Sequence, residues 1–315
     1  MFSINFSLPL IHSDKTGRKG AKRVALFLDD SLSLINSLTG VKRPSTLKNY
    51  RTALRSFRHF IDETAEKTIT AELLKQYEGW LLSSGIKRNT SSCYLRSLRA
   101  LYQQLYGEAQ QLFHGVFTYN EKTEKRSMSV SLVQQLTNAR PDVPKRYQFC
   151  YDMFLFSVYA FGMPFIDLAN LSRSNIVGST IIYHRHKTGQ MITVPIIPEM
   201  MLTIDKYSGK ANGGLLFPIL PSADCSYKTY QSCLSEYNRD LKHLAAVAGL
   251  DVRLTSYVAR HTWATLATKS GINVHHISQA MGHTSLRTTE IYLGQLSTSE
   301  LHEDSLLITR LMKKI

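Results

Sequence analysis

Two stretches near the C-terminus decide the fold prediction: LTSYVARHTWAT at residues 254–265 and MGHTSLRTTEIY at residues 281–292. The first brings Arg260 next to a histidine, and the second ends in Tyr292, nine residues after His283. Arginine stays charged and offers phosphate a planar fork of donors. Histidine moves protons near neutral pH, and a tyrosine oxygen can act as a nucleophile. Residues of these types can bind a phosphate, move a proton and supply a nucleophile.

The two stretches resemble the active-site signature of the tyrosine recombinases, or phage-type integrases. In that family the signature is His-x-x-Arg-His-x-x-Ala, then Leu-Gly-His, then a tyrosine nine residues after that histidine. The resemblance covers roughly residues 129–293, and more loosely the basic region before them. It implies a mainly α fold with a small β-sheet, in which a helical core-binding domain precedes a mixed α/β catalytic domain.

The resemblance implies a role for each matching residue. Tyr292 forms a 3′-phosphotyrosyl link, Arg260 stabilises the negative charge of the pentacoordinate phosphorus, and His283 donates to the phosphate or handles the tyrosine proton. Lys187, in a hairpin turn, protonates the leaving 5′ oxygen. Tyr257 stands where the family has a histidine. A phenol is a poor proton acceptor near neutral pH, so a supporting role is expected. No metal ion, ATP or other cofactor is expected.

The stretch YAFGMPFIDL at residues 159–168 resembles the segment that holds the family's first arginine, but it contains none. Pro164 stands at the usual position, and Phe161 stands where some members carry the arginine instead. Asp167 matches the acidic residue of this segment and is expected to orient or pair with the active-site cations.

Three explanations of the missing arginine stay open. Another basic residue reaches the site, with Arg146, Arg173 and Arg185 as candidates. Alternatively the protein is naturally weak or inactive, or an engineered substitution stalls it. Loss of one such donor costs on the order of 10²–10³ in rate. Two other functions therefore remain: a DNA-binding or architectural protein that has lost cleavage, and a nicking-closing enzyme of the type IB topoisomerase kind.

The net charge of +14 and the isoelectric point of about 9.6 indicate a polyanionic partner. No apolar run approaches the ~20 residues needed to cross a bilayer, so nucleic acid is favoured over a membrane. The four cysteines lack zinc or disulfide spacing and are expected to be reduced thiols. We expect a cytoplasmic, nucleoid-associated bacterial protein.

Two predicted helices in the N-terminal half carry basic stripes. Over residues 46–62, apolar residues recur at spacings of three and four, and basic residues follow one position later: Lys48, Arg51, Arg55 and Arg58. The helix after Asn89 carries Arg88, Arg96 and Arg99. A basic stripe is usually a solvated face, but two stripes on one small domain favour phosphate contact.

The chain is predicted to divide into four parts. Residues 1–22 form an N-terminal arm, which is either unstructured or in contact with DNA, and residues 23–112 form a helical core-type DNA-binding domain. Residues 113–127, where periodicity is lost and charges gather, form a linker. Residues 128–315 form the catalytic domain, with a β-hairpin over residues 181–196 around the turn that holds Lys187.

The expected partner is double-stranded DNA with specific recombination sites. The resemblance implies a homo-oligomer, a tetramer on DNA, in which the C-terminal tail at residues 300–315 packs onto a neighbouring protomer. Packing of the tail within its own protomer is the alternative. Integration, excision and inversion use the same machinery. The short N-terminal region favours an invertase or a simple integrase.

Overall fold

The structure, a computed structural model, describes residues 22–121, 127–139 and 142–293, with backbone alone for residues 290–293. It divides into two units, Met1–Thr123 and Glu124–Ile315. The predicted arm, apart from its last residue, and the predicted tail lie outside the described residues.

The first unit is helical, as the pattern of its sequence predicts. Its helices are α1 (Val24–Ser37), α2 (Pro44–Thr64), α3 (Ala71–Ser83), α4 (Arg88–Tyr106) and the single turn α5 (Ala109–Leu112). Helix α2 has a proline in its first turn, where no amide donor is needed, and α3 is capped by the Thr70 hydroxyl, which accepts from the Leu73 amide at 3.1 Å. These local signals set where the helices begin.

Helix α2 has the two faces that the sequence predicts. Its apolar stripe is buried in the core of the first unit: Leu47, Tyr50, Leu54, Phe57 and Ile61. Phe57 is fully buried and meets the Tyr77 ring edge-on, at 5.1 Å between ring centroids. The basic stripe one position along is exposed to solvent on all four of its residues.

The predicted linker begins too early. Phe113 and Val116 are buried in the core of the first unit. Further along, the side chain of Asn89 donates to the carbonyl of Glu121 at 3.0 Å and accepts from its amide at 2.7 Å. Residues 113–121 therefore pack on the first unit. The loss of helical periodicity in the sequence indicated an irregular segment. The burial of Phe113 and Val116 packs this segment into the same core as α3 and α4.

The second unit contains α6 (Val130–Asn138), α7 (Lys145–Tyr159), α8 (Phe165–Ala169), β1 (Ile176–Val177), β2 (Thr180–His184), β3 (Met191–Pro195), α9 (Pro198–Tyr207), α10 (Tyr227–Val247), α11 (Ser256–Lys269), α12 (Val274–Ala280) and α13 (Leu286–Leu293). Helix α7 packs against α9, α10 and α11, and its residues 150–158 are all buried. The mainly α class with a small sheet is confirmed.

The sheet is antiparallel in the order β1-β2-β3. Ile181 faces Val194 across the predicted hairpin, and both side chains are fully buried. Strand β1 was not predicted, because two residues are too short to show alternation. The hairpin closes as the Arg185 amide donates to the carbonyl of Gln190 at 2.8 Å, which leaves Lys187 exposed in the turn.

Candidate active site

A buried arginine on α11 lies at the centre of the predicted site. Arg260 is 3% exposed, and its guanidinium is held by groups from two other segments. Nη1 donates to the carbonyl of Gly162 at 3.0 Å, and Nη2 donates to the carbonyl of Met281 at 2.6 Å. Nη2 also lies 3.0 Å from Nε2 of His283. The signature residues Arg260 and His283, which are distant in sequence, are therefore in direct contact.

Gly162 allows the backbone to approach Arg260 closely. Its φ is +66°, and a Cβ built there would lie 2.6 Å from the Arg260 Cα. The preceding residue, Phe161, also has a left-handed backbone, with φ of 59°, and its ring lies 5.3 Å from that of Trp263 between centroids. Pro164 is the residue just before α8. Neither position predicted for the first arginine supplies a cation.

His283 is held as a neutral imidazole. A guanidinium can only donate, so Nε2 accepts from Arg260 and the ring proton resides on Nδ1, which donates to the Thr289 hydroxyl at 2.8 Å. Burial first, then the positive charges of Arg260, Arg185 and Lys187, lowers the pKa of His283 to about 4. At neutral pH the imidazole therefore acts as a hydrogen-bond acceptor through Nε2.

Asp167 lies in the first turn of α8 and is buried, 5% exposed. Its Oδ1 accepts from the His186 amide at 2.8 Å, and its Oδ2 lies 3.9 Å from Nε of Arg185. Burial raises the pKa of the Asp167 carboxyl, while the bond from His186 and the charges of Arg185 and Arg260 act in the opposite direction. Asp167 is thus paired with Arg185 and bonded to the backbone of His186, the residue before Lys187 in the hairpin.

Arg185 was only one of three candidates for an additional cation, and the structure buries it. It is 8% exposed, and its Nη1 donates to the carbonyls of Met281 and Gly282 at 2.9 and 2.8 Å. The sequence signal was alternation: Ile181 and Tyr183 face the core, and Arg185 continues their parity. The other two candidates make contacts elsewhere, Arg146 with the Tyr147 ring and Arg173 with the Ser208 hydroxyl.

The remaining predicted residues are placed as follows. Tyr257 is half-exposed in the first turn of α11, with its ring 4.5 Å from the His261 ring between centroids. Lys187 is exposed at the hairpin turn. Tyr292 belongs to α13, one helical turn after Thr289, and its side chain lies outside the described residues. A cavity of about 320 Å³ adjoins the site, lined by residues of β3 and α12 and by His283.

The predicted DNA-binding residues fall into two groups. Lys48, Arg51, Arg55 and Arg58 are exposed on α2. On α4, by contrast, the arginines contact residues 117–121. Arg96 donates to Asn120 at 2.8 Å and Arg99 donates to Thr118 at 3.3 Å, while Arg88 lies 3.6 Å from a Glu121 carboxylate oxygen and over the Phe117 ring.

The chain matches two family descriptions. Residues 127–298 match the Phage integrase family, and residues 26–108 match the Phage integrase SAM-like domain. The chain therefore belongs to the phage integrase family, the tyrosine recombinases, and is an enzyme of DNA recombination that cleaves and rejoins strands. The predicted membership of the tyrosine recombinase family is confirmed.

Two curated relatives carry the name of this family, and two solved structures share the fold. Tyrosine recombinase XerD of Vibrio cholerae serotype O1 is 24% identical over 261 residues, which cover 79% of this chain and 85% of that protein. Tyrosine recombinase XerD of Pseudomonas putida is 25% identical over 272 residues, covering 82% and 90%. A lambda integrase dimer bound to a COC′ core site has a TM-score of 0.67 at 14% identity, covering 88% of this chain and 100% of that one. A lambda integrase tetramer bound to a Holliday junction has a TM-score of 0.65 at 14% identity, covering 89% and 81%.

Two features are absent from the described residues. Within them, no helix is long and apolar enough to cross a membrane. Nor do three or more histidine, cysteine or acidic side chains in that part of the chain group together in a way that could hold a metal ion.

Replacement of Gly162 by alanine tests the close approach to Arg260. We expect Gly162→Ala to lower the free energy of unfolding by roughly 1–3 kcal/mol, because the new methyl group overlaps the Arg260 backbone in a left-handed conformation. Chemical denaturation of the purified chain measures this. Gly178→Ala is the matched control, because Gly178 has φ of 58° but open space around its Cβ position. Equal losses in both variants would contradict the tight contact.

The state of His283 gives a prediction on pH. The His283 imidazole is expected to stay neutral, with its proton on Nδ1, down to about pH 4, and nitrogen NMR of labelled protein measures both properties. An unfolded histidine binds a proton near pH 6.5, so the His283 contribution to stability is present above that pH and is lost as the pH falls towards 4. The signal is assigned by its absence in His283→Asn. A titration near 6.5 in the folded protein would contradict this description.

Proposed function

We propose that this chain cuts and rejoins double-stranded DNA at specific recombination sites through Tyr292. The observation that carries the proposal is the contact between the buried Arg260 and the half-buried His283, 3.0 Å between nitrogens. It joins a phosphate-binding cation to a proton acceptor, and His283 is bonded to α13, the helix that contains Tyr292. Similarity to the proteins named tyrosine recombinase XerD supports the same function.

The proposed reaction needs neither metal nor ATP. The Tyr292 oxygen attacks the scissile phosphorus and forms a 3′-phosphotyrosyl ester, while the bond to the 5′ oxygen breaks. Because the ester keeps the bond energy, attack by a 5′ hydroxyl rejoins a strand and releases the tyrosine. Arg260 donates to the non-bridging oxygens, where negative charge increases in the transition state.

Two protons must move in this reaction. The neutral His283 has a lone pair at Nε2, which supports a role in accepting the Tyr292 proton once phosphate engages the Arg260 guanidinium. Lys187, exposed at the hairpin turn, is proposed to protonate the leaving 5′ oxygen. Tyr257 is proposed to donate a hydrogen bond to the phosphate, and Asp167 to orient the end of β2.

The second candidate function is a DNA-binding protein that keeps the scaffold without cleavage. Phe161 and Pro164, which stand at the positions of the first arginine, favour it. A nicking-closing activity of the type IB topoisomerase kind would use the same chemistry. The presence of Arg260, His283 and Tyr292 together favours the recombinase, because a nucleophile at the family spacing has no use in a protein that only binds.

The first unit is proposed to bind the DNA backbone. The exposed basic stripe of α2 presents four cations along one helix face, as phosphate contact requires. The three arginines of α4 share their donors with residues 117–121. A guanidinium has five donors, so these arginines are proposed to hold that segment and to contact phosphate with the donors that remain.

The assembly is proposed to be a tetramer on two recombination sites. The fold similarity to a lambda integrase tetramer bound to a Holliday junction supports this. The C-terminal tail, outside the described residues, is proposed to pack onto a neighbouring protomer. Because the matched XerD proteins come from bacteria, the proposed location is the bacterial cytoplasm, at the nucleoid.

Covalent trapping tests the nucleophile. A binding site is first selected from random duplexes by gel shift, and the protein is then incubated with a duplex of that site carrying a nick that lets the cleaved fragment diffuse away. We expect a protein–DNA adduct on denaturing gels from the parent chain and none from Tyr292→Phe, which lacks only the attacking oxygen.

The Phe161→Arg variant separates the two candidate functions. An adduct from the parent chain supports the recombinase. An adduct from Phe161→Arg alone means that the site is complete apart from one cation. If no variant forms an adduct on a duplex that the protein binds, the chain is a DNA-binding scaffold.

The basic stripe of α2 predicts the salt dependence of binding. Arg51→Gln together with Arg55→Gln is expected to reduce the slope of log binding constant against log salt by roughly 1–2, because each phosphate contact contributes about 0.9. Binding titrations of a labelled duplex at salt concentrations between about 50 and 200 mM measure this slope. Arg239→Gln on α10, where Arg239 pairs with Glu236 at 3.2 Å, is the control and should leave the slope unchanged. An unchanged slope in the double variant would exclude α2 from the DNA interface.

A further inference from the structure

We infer that Arg185, at the end of β2, is the second guanidinium that binds the scissile phosphate, and that it takes the place of the arginine missing from residues 161 and 164. This inference rests on the proposed function. It assigns a phosphate-binding role to a residue outside the active-site signature. Three observations carry it: a shared hydrogen-bond acceptor, the burial of the guanidinium, and the charge balance of the site.

The shared acceptor brings two guanidinium groups together. Arg185 Nη1 and Arg260 Nη2 both donate to the carbonyl of Met281, at 2.9 and 2.6 Å. Two cations joined to one oxygen repel each other, and they are stable together when an anion lies between or beside them. Arg185 also donates to the carbonyl of Gly282, the residue before His283. Its guanidinium therefore lies directly beside the Arg260–His283 pair.

The burial of Arg185 is only partly compensated within the chain. Nε of Arg185 and Oδ2 of Asp167 are both buried, neither has a hydrogen-bond partner in the described part of the chain, and they lie 3.9 Å apart. A buried charged group that is not fully bonded is costly, and such groups concentrate at functional sites. An ion pair that is close but not bonded leaves the Nε donor of Arg185 unused within the described residues.

The charge balance fits a phosphate in the transition state. With Asp167 ionised, the three cations Arg185, Arg260 and Lys187 and this one carboxylate carry a net charge of +2 around His283. A phosphodiester carries one negative charge, and its pentacoordinate transition state carries about two on its oxygens. Without Arg185, the charges of Arg260, Lys187 and Asp167 would sum to +1, which balances only half of the negative charge of the transition state. The Arg185 guanidinium supplies the rest.

A neutral phosphate analogue tests this role. Two nicked duplexes of the selected site are compared, one with the natural phosphodiester and one with a methylphosphonate at the scissile position, which removes the charge that a cation must stabilise. Arg185→Gln is expected to slow adduct formation by about 10²–10³ on the phosphodiester. On the methylphosphonate we expect its rate to lie within about tenfold of the parent's, as the lost cation is no longer needed.

Arg173→Gln is the matched control, because Arg173 is exposed and donates to Ser208, and it should match the parent chain on both duplexes. A loss that is equally large on both duplexes means that Arg185 only supports the fold of residues 281–282, and overturns the inference. So does a variant as fast as the parent on the phosphodiester. If Arg185→Gln unfolds, as judged by circular dichroism, Arg185→Lys is compared on the same two duplexes.

The two proposals fail separately. If the parent chain forms a Tyr292-dependent adduct and the Arg185 variants do not differ from it, the recombinase function holds and the role of Arg185 does not. If the parent forms no adduct on either duplex while it binds both, the proposed function itself is wrong, and this inference falls with it.

Discussion

The burial of the Arg260 guanidinium is the constraint on which the second unit depends. A charge removed from water is tolerated only when fixed acceptors replace the water, and here these are the carbonyls of Gly162 and Met281. Those carbonyls belong to the corner after α7 and to the end of α12. The requirement of one side chain thus joins three segments that are distant in sequence. Only a residue without Cβ fits at Gly162, because a Cβ there would meet the Arg260 backbone. The contacts that fix the geometry of the site are consequently the same contacts that pack these segments together.

The same buried surroundings determine the protonation state of His283. Burial, and after it the close cations, disfavour a charged imidazole, so the ring stays neutral and presents a lone pair towards the guanidinium. The bond to Thr289 fixes the tautomer and connects the ring to α13. The acid–base character of His283 therefore comes from its neighbours, and the sequence motif alone does not determine it.

Local patterns in the sequence predicted the features that depend on contacts between residues close together in the chain. The stripe of α2, the hairpin around Lys187 and the spacing from His283 to Tyr292 each depend on residues a few positions apart. Long-range contacts were beyond such patterns. Phe113 and Val116 are buried because α3 and α4 lie beside them, and Arg96 and Arg99 bond to residues 118–120 rather than pointing only to solvent. From the sequence, Arg185 is only one of three candidate cations, because its acceptors at residues 281 and 282 come from almost a hundred positions away.

Phe161 gives a physical reason why the chain tolerates the loss of an arginine. Its backbone is left-handed, which costs a non-glycine residue on the order of 1 kcal/mol, and contact with the Trp263 ring offsets part of that cost. An arginine at this position would have the same strain without equal aromatic packing. It would also add a cation to a site where two guanidinium groups already share one carbonyl. With Arg185 supplying the charge from the hairpin, an apolar side chain in the corner before α8 lowers repulsion around Arg260 and supports its helix.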